Sequence, residues 1–254
     1  MARAGVGAGQ VNPGYLRAYG RSATLGDMDI TTGHGQDAPL ALVTGGSRGI
    51  GAAVVEDLSR THRVVSWSSS DVDLSDPGSI GDAVARLREA VPDALQRLDV
   101  LVHSAGLAGE SRVEEMQWDQ WQRMFAVNVF GVAELTRQLL PALRAAGGTV
   151  VAINSGSGYH SGAGQAPYSG TKFALRALTD ALREEERGRV RVSSVHPGRV
   201  DTDMQVALQE GRGNTDYDGS RYVAPASVAA AVRFAVDTTD EAIIEEVSVR
   251  PVRG

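Results

Sequence analysis

Cysteine is absent from all 254 residues, so disulfide staples, thiolate nucleophiles and cysteine-ligated metal centres are excluded. Histidine is sparse: His34, His62, His103, His160 and His196 are scattered without a ligand-like spacing, which speaks against a zinc site. Basic residues are outnumbered, 25 Lys and Arg against 31 Asp and Glu. The net charge of −6 comes with no basic block, so no nucleic-acid partner is expected. No apolar run approaches membrane-spanning length, and residues 1–38 lack the apolar segment of a secretory signal. The expectation is a cytoplasmic protein with no membrane partner. No internal repeat occurs.

What is present suits one α/β domain with a sizeable core. Residues 1–38 stand apart, rich in Gly, Ala and Arg and without hydrophobic periodicity. They are expected to form a disordered extension, with Met28 as a candidate initiator, ahead of a domain over residues 39–254. In that domain strands are expected at 40–43, 63–67, 99–103, 149–154, 190–195 and 243–249. Helices are expected after the first of these and at 118–146, 166–187 and 226–236. Strands alternating with helices predict a single doubly wound, Rossmann-type domain with a mostly parallel sheet covered on both faces. In such sheets ligands bind at the carboxyl ends of the strands.

Tyr168 and Lys172 lie four residues apart, with Ser155 thirteen residues before the tyrosine. On a helix, positions i and i+4 share a face, which brings the Lys172 ammonium close to the Tyr168 phenol. A free tyrosine titrates near ~10, and a neighbouring cation lowers that value. The trio therefore predicts an acid/base phenol tuned by a lysine, with the Ser155 hydroxyl holding a carbonyl or alcohol oxygen. Upstream, an apolar run at 40–43 leads into Thr44-Gly45-Gly46-Ser47-Arg48-Gly49-Ile50-Gly51 and then a helix. Glycines let the backbone approach a pyrophosphate, and the helix N-terminus behind them favours the anion.

With these motifs in place, the chain resembles the short-chain dehydrogenase/reductase family over residues 39–251. The family's Thr-Gly-x-x-x-Gly-x-Gly turn corresponds to 44–51 and its Asn-x-x-Gly to Asn128 and Gly131. Its Ser, Tyr and Lys correspond to Ser155, Tyr168 and Lys172, and its Pro-Gly segment with a following Thr to Pro197, Gly198 and Thr202. The resemblance implies hydride transfer between a nicotinamide and a carbonyl carbon, with Asn128, Ser155, Tyr168 and Lys172 as the catalytic set. Asn128 would hold a water between Lys172 and solvent, or bond the backbone at a helix kink. For the dinucleotide it implies Gly45, Ser47, Arg48, Gly49, Ile50 and Gly51 at the phosphates. Ser68, Ser69, Asp73, Leu74, Ser104, Ala105 and Gly106 would lie along the adenosine. Tyr168, Lys172, Pro197, Gly198, Val200 and Thr202 would meet the nicotinamide end. Helices around 128–143 and 166–187 would pair copies into a homodimer or homotetramer.

Two departures from the family pattern stand out. His103-Ser104-Ala105-Gly106 replaces the usual Asn-Asn-Ala-Gly, and His103 is read as a strand-end residue in place of an asparagine rather than as a base. Only three serines separate the second strand from Asp71-Val72-Asp73-Leu74, too few for a crossover helix. The third strand and that helix are therefore expected to be shortened or missing.

The end of the second strand offers Ser66 and Ser68 to Ser70 with no carboxylate before Asp71, and Arg48 sits where NADP-preferring members of the family place an arginine. NADP(H) is expected in preference to NAD(H). The substrate is expected to be a small carbonyl or alcohol compound, met by a loop at about 204–222. A non-catalytic NADP(H)-binding regulator is the alternative, although such proteins lose the Tyr or Lys kept here. An epimerase or dehydratase is another, but it would carry Gly-x-x-Gly-x-x-Gly at the turn.

Overall fold

The computed structural model describes residues 22–25, 28–31, 34–35 and 37–252. Two short strands come first, β1 (Ser22–Leu25) and β2 (Met28–Thr31). Then follow β3 (Leu40–Thr44), β4 (Arg63–Trp67), β5 (Val100–His103), β6 (Thr149–Ile153), β7 (Arg191–Pro197) and β8 (Glu246–Val249). They form one sheet in the order β1-β2-β4-β3-β5-β6-β7-β8. β4 through β8 and β3 pair in parallel, while β1 and β2 are antiparallel additions at the β4 edge.

β3 shows why the sheet is central. Its run Leu-Ala-Leu-Val is apolar at every position, so both faces must be buried. Leu40 and Leu42 join Val65, Trp67, Leu101 and Val150 in one core, beneath α2 (Pro77–Ala90) and α4 (Gly131–Ala146). Ala41 and Val43 face the opposite core, beneath α1 (Gly49–Leu58) and α7 (Pro225–Val236). Full burial of each such aliphatic side chain contributes roughly 1.5–3 kcal/mol. The α2 helix, not anticipated above, carries a plain signal. Asp76 caps it by accepting from the Gly78 N–H, Pro77 opens it, and Ile80, Ala83, Val84 and Leu87 fall on one buried stripe.

The chain passes from β4 through residues 68–76 directly into α2, with no strand between. That leaves the outer edge of β4 open, and an open edge of a sheet attracts another strand. Here β2 fills it, pairing Asp29 with Ser66 and Thr31 with Val64. The expectation of a disordered extension is thus corrected for 22–25 and 28–31. Its physical reason is local: a Thr-Leu and a Met-Asp-Ile-Thr segment flank Gly26-Asp27, a two-residue hairpin sequence, next to an unpaired edge. Residues 1–21, 26–27, 32–33 and 36 of that extension lie outside the described residues.

The long helix expected over 118–146 is divided. It runs as α3 (Trp118–Phe125), a π-helical turn at Ala126–Phe130 and then α4. Such bulges are frequent at functional sites, and this one holds Asn128. The remaining helices are α5 (Ala166–Glu185) and α6 (Asp203–Gly211). Among the described residues no helix is long and apolar enough to cross a membrane.

His103 ends β5 fully inside the core and is a structural residue. The Thr136 hydroxyl gives its proton to the Val132 carbonyl, so His103 Nε2 must donate to Thr136 Oγ1 at 2.8 Å. Nδ1 is left buried without a partner. Burial holds the imidazole neutral, with its pKa pushed down to about 4. In the unfolded chain it titrates near ~6.5. Between these values the unfolded state binds more protons, so stability falls as pH drops from about 6.5 to 4. We expect a loss on the order of 3 kcal/mol across that window from this residue. Urea melts of His103→Asn should show a flatter dependence over the same range; identical pH slopes would assign the acid sensitivity elsewhere.

Candidate active site

A cleft of about 710 Å³ opens along the carboxyl ends of β3 to β7. Its floor starts at the glycine turn after β3. Gly45 has φ +70, and a Cβ there would stand 2.7 Å from the Ala105 backbone. A Cβ on Gly51 would lie 2.1 Å from the Gly45 carbonyl oxygen, so only glycine lets α1 begin this close to the turn. The first turn of α1 has no side-chain cap, since Arg48 at the N-cap makes no capping bond. Uncapped N–H groups and bare glycine backbone facing a cleft form a seat for an anion such as a pyrophosphate.

Thr44 ties this turn to β5: its Oγ1 accepts from the Ser104 and Ala105 N–H groups at 3.2 and 3.3 Å. Ser68, Ser69, Asp73 and Leu74 line the far end of the cleft together with Arg48. Asp71 is absent from that lining; its carboxylate turns back to accept from the Ser68 N–H at 2.6 Å and the Ser68 hydroxyl at 2.7 Å. Asp73 takes two bonds from Ser75 on Oδ1, and these hold its carboxyl below the usual range. At the other end, Pro197, Gly198, Val200 and Thr202 form the wall. Thr202 caps α6, its Oγ1 accepting from the Gln205 N–H at 3.3 Å. α6 takes up the first part of the segment at about 204–222 that the sequence marked as a substrate loop.

Ser155, Tyr168 and Lys172 line one wall together. The helical i, i+4 spacing of α5 does bring the last two close, with Nζ 5.8 Å from the Tyr168 ring centre. Lys172 Nζ, however, donates to the Ile153 carbonyl at 2.9 Å. The expectation of a lowered phenol pKa is corrected in its net direction, which is upward in this state of the site. Burial dominates both groups, raising Tyr168 against the opposing effect of its bond with Ser155 and depressing Lys172 to about 8. In a dry wall each charged form loses hydration.

Asn128 alone among the sequence-predicted residues does not line the cleft. Its Oδ1 accepts from the Leu107 N–H at 2.8 Å, and Nδ2 donates to the Leu107 carbonyl at 2.8 Å and to Thr171 Oγ1 at 3.1 Å. It clamps the β5 exit loop to α5 from the π turn. Gly131, which opens α4, packs elsewhere, where a Cβ would meet the Leu74 carbonyl oxygen at 2.2 Å.

Residues missed by sequence reasoning close the mouth. Arg212 after α6 forks onto Glu110 of the β5 exit loop, with Nε donating to Oε2 at 2.7 Å. Gln165, three residues before Tyr168, also donates to Glu110 at 3.3 Å. Glu110 and Arg212 lie 102 positions apart, so no local pattern could have paired them.

A family model described as short chain dehydrogenase matches residues 67–213. An NADP-dependent 3-hydroxy acid dehydrogenase of Schizosaccharomyces pombe is 28% identical over 245 residues, covering 85% of this chain and 93% of that protein. An uncharacterised NAD-dependent oxidoreductase of Mycobacterium tuberculosis is 38% identical over 159 residues, covering 60% of this chain and 57% of that protein. The solved structure of a single-substitution variant of an actinorhodin polyketide ketoreductase, with NADPH, superimposes with a TM-score of 0.75 at 26% identity. That match covers 85% of this chain and 97% of that one.

Proposed function

The chain belongs to the short-chain dehydrogenase family and is an oxidoreductase; from that premise we propose that it interconverts a carbonyl and a secondary alcohol with NADP(H). The observation that carries this reading is the convergence of Ser155, Tyr168 and Lys172 on one wall of a cleft whose floor is bare glycine backbone. The cofactor, when bound, supplies or accepts the hydride. Gly45, Ser47, Gly49, Ile50 and Gly51 would hold its pyrophosphate. Arg48, Ser68 and Ser69 would meet a phosphate on the adenosine ribose, Asp73 and Leu74 the adenine, and Ser104, Ala105 and Gly106 the adenosine's inner side. Pro197, Gly198, Val200 and Thr202 would border the nicotinamide, with Lys172 at its ribose. Asp71, turned back onto Ser68, offers no carboxylate to repel the extra phosphate, which supports NADP(H) over NAD(H).

In the reductive direction Ser155 holds the substrate oxygen and Tyr168 gives it a proton. Burial suits that task, since it keeps the phenol protonated at neutral pH. Lys172 in its cationic form favours the phenolate that results. Oxidation of NADPH across a panel of diketones, quinones, β-ketoesters, pterins and steroids tests the reading and sorts the substrate. No turnover with any of them, together with no NADPH binding, would count against it.

A pH dependence follows from the lysine. With Lys172 depressed to about 8, its charge is lost as pH rises through that value, and reductive kcat/KM should fall above it. The expected limit is roughly tenfold per pH unit. A profile flat to about pH 10 would remove Lys172's charge from the mechanism.

We also propose a homo-oligomer. Phe130 is 62% exposed and Phe173 45%, and Phe130 continues the ring contacts of Trp121 and Phe125 beside Gly170 of α5. Two-fold pairing would bury this apolar strip against its own copy. Light scattering should return a multiple of the 26.7 kDa chain, reduced in Phe130→Asp/Phe173→Asp. A wild-type mass near one chain at micromolar concentration would defeat the claim.

A further inference from the structure

His196, near the end of β7, is fully buried, with its ring centre 4.6 Å from that of Tyr159. Its Nδ1 lies 3.1 Å from the Ser155 carbonyl oxygen. A carbonyl only accepts, so Nδ1 must carry a proton. The same oxygen takes the Gly158 N–H at 3.0 Å, closing the 3-10 turn Gly156–Gly158 that Ser155 caps. On the other side of Ser155, its N–H donates to Asn154 Oδ1 at 2.9 Å. Both peptide planes flanking the Ser155 Cα are therefore held by side chains. The side chain is held as well, its Oγ accepting from the Ser157 N–H at 3.1 Å.

The imidazole is braced in turn. The Tyr159 ring packs on it at 4.6 Å, while the Tyr159 hydroxyl gives its proton to Glu246 Oε2 at 2.7 Å and leaves Nε2 as a bare acceptor. Arg176 covers the Tyr159 ring at 4.3 Å and reaches Glu246 at 3.3 Å. Arg250 donates to the His196 backbone oxygen at 3.4 Å and packs where any side chain on Gly156 would have to go, 2.6 Å from a Cβ there. These groups come from β7, β8, α5, the residue after the 3-10 turn and the segment after β8, and none of them lines the cleft.

We propose that His196, packed against the Tyr159 ring, is a positioning residue for Ser155: it pins the Ser155 carbonyl so that the turn aims the hydroxyl at Tyr168. This rests on the catalytic reading of Ser155 given above. His196 touches neither cleft nor substrate and acts only through the turn.

The first test needs no turnover. In ¹⁵N NMR of the cofactor-free protein, with the His196 signals assigned by their loss in His196→Asn, the neutral ring should carry its proton on Nδ1, the minority form of a free imidazole. A proton on Nε2 would overturn the proposal. The second test is kinetic, with NADPH and the fastest carbonyl of the panel above. His196→Leu should lower kcat about tenfold to a hundredfold, the scale of a misplaced reacting group, with KM for NADPH changed less than about twofold. His196→Asn, whose Nδ2 stands where Nδ1 stood, should recover most of that loss. In a Ser155→Ala background His196→Leu should cost nothing more, because the two act as one unit. A folded His196→Leu with normal kcat, or a further roughly tenfold loss in that background, would overturn the proposal. Should His196→Leu fail to fold, Tyr159→Leu removes the ring packed against His196, and kcat should fall several-fold with KM for NADPH changed less than about twofold. An unchanged kcat in that variant would equally overturn it. If Ser155→Ala itself retains turnover while the Nδ1 proton is seen, the catalytic reading has failed and the geometry at His196 stands.

Discussion

Tyr168→Phe should abolish reductase turnover while leaving NADPH affinity nearly intact. The substitution removes one oxygen from a side chain that burial keeps in its neutral, proton-bearing form. General acid catalysis contributes ~10²–10⁴-fold, so kcat should fall by about that factor. The ring remains to fill the same wall, and the glycine turn, Arg48 and Thr202 are untouched. NADPH binding, followed by quenching of tryptophan fluorescence or by calorimetry, should therefore stay within about threefold, less than the loss of one ordinary hydrogen bond. A variant that retained most of its kcat would dismiss Tyr168 as the proton donor. Loss of NADPH binding in parallel with kcat would instead make the phenol a cofactor ligand first.

Arg48→Ala should separate the two cofactors. Arg48 is exposed and lines the same cleft as Ser68 and Ser69. A guanidinium pairing a ribose phosphate makes charge-assisted bonds of about 1.5–3 kcal/mol, which corresponds to ~10–100-fold in KM for NADPH. NADH has no phosphate there, and its KM should move little. The companion change Asp71→Asn tests the other half of the selectivity. Because Asp71 is already occupied by Ser68, its removal should leave the NADPH to NADH preference nearly unchanged. Equal effects of Arg48→Ala on both cofactors would place the arginine in solvent and send the preference elsewhere, with the NAD-dependent mycobacterial relative as the natural comparison.

Much of this site was legible in one dimension because its chemistry is local. The glycine turn occupies 44–51, and Tyr168 and Lys172 are one helical turn apart. Each of these patterns specifies its own geometry, so the cleft contains nearly every residue the motifs named. Asn128 illustrates the limit. Its motif was visible, but whether its amide faces a cavity or the Leu107 backbone depends on how the π turn is seated against α5. The direction of the Tyr168 shift was misjudged for a related reason. Charge proximity can be read from spacing, whereas desolvation depends on everything that surrounds the wall.

Pattern along the chain is enough for the six parallel strands and for α1, α5 and α7: apolar runs too uniform for a one-sided sheet, helices with an apolar stripe, and glycines that only a close turn requires. The sequence by itself also determined that no crossover helix fits between β4 and Asp71, a matter of chain length alone. Tertiary structure decided what long-range pairing decides. The hairpin of β1 and β2 has meaning only because β4 lacks an outer neighbour. The Glu110–Arg212 bridge and the support of Ser155 by His196 join segments separated by 102 and 41 positions, whose encounter is set by the packing of β5, β6, β7 and α6. Hydrogen-bond propensity is a property of a residue, but a partner is a property of the fold.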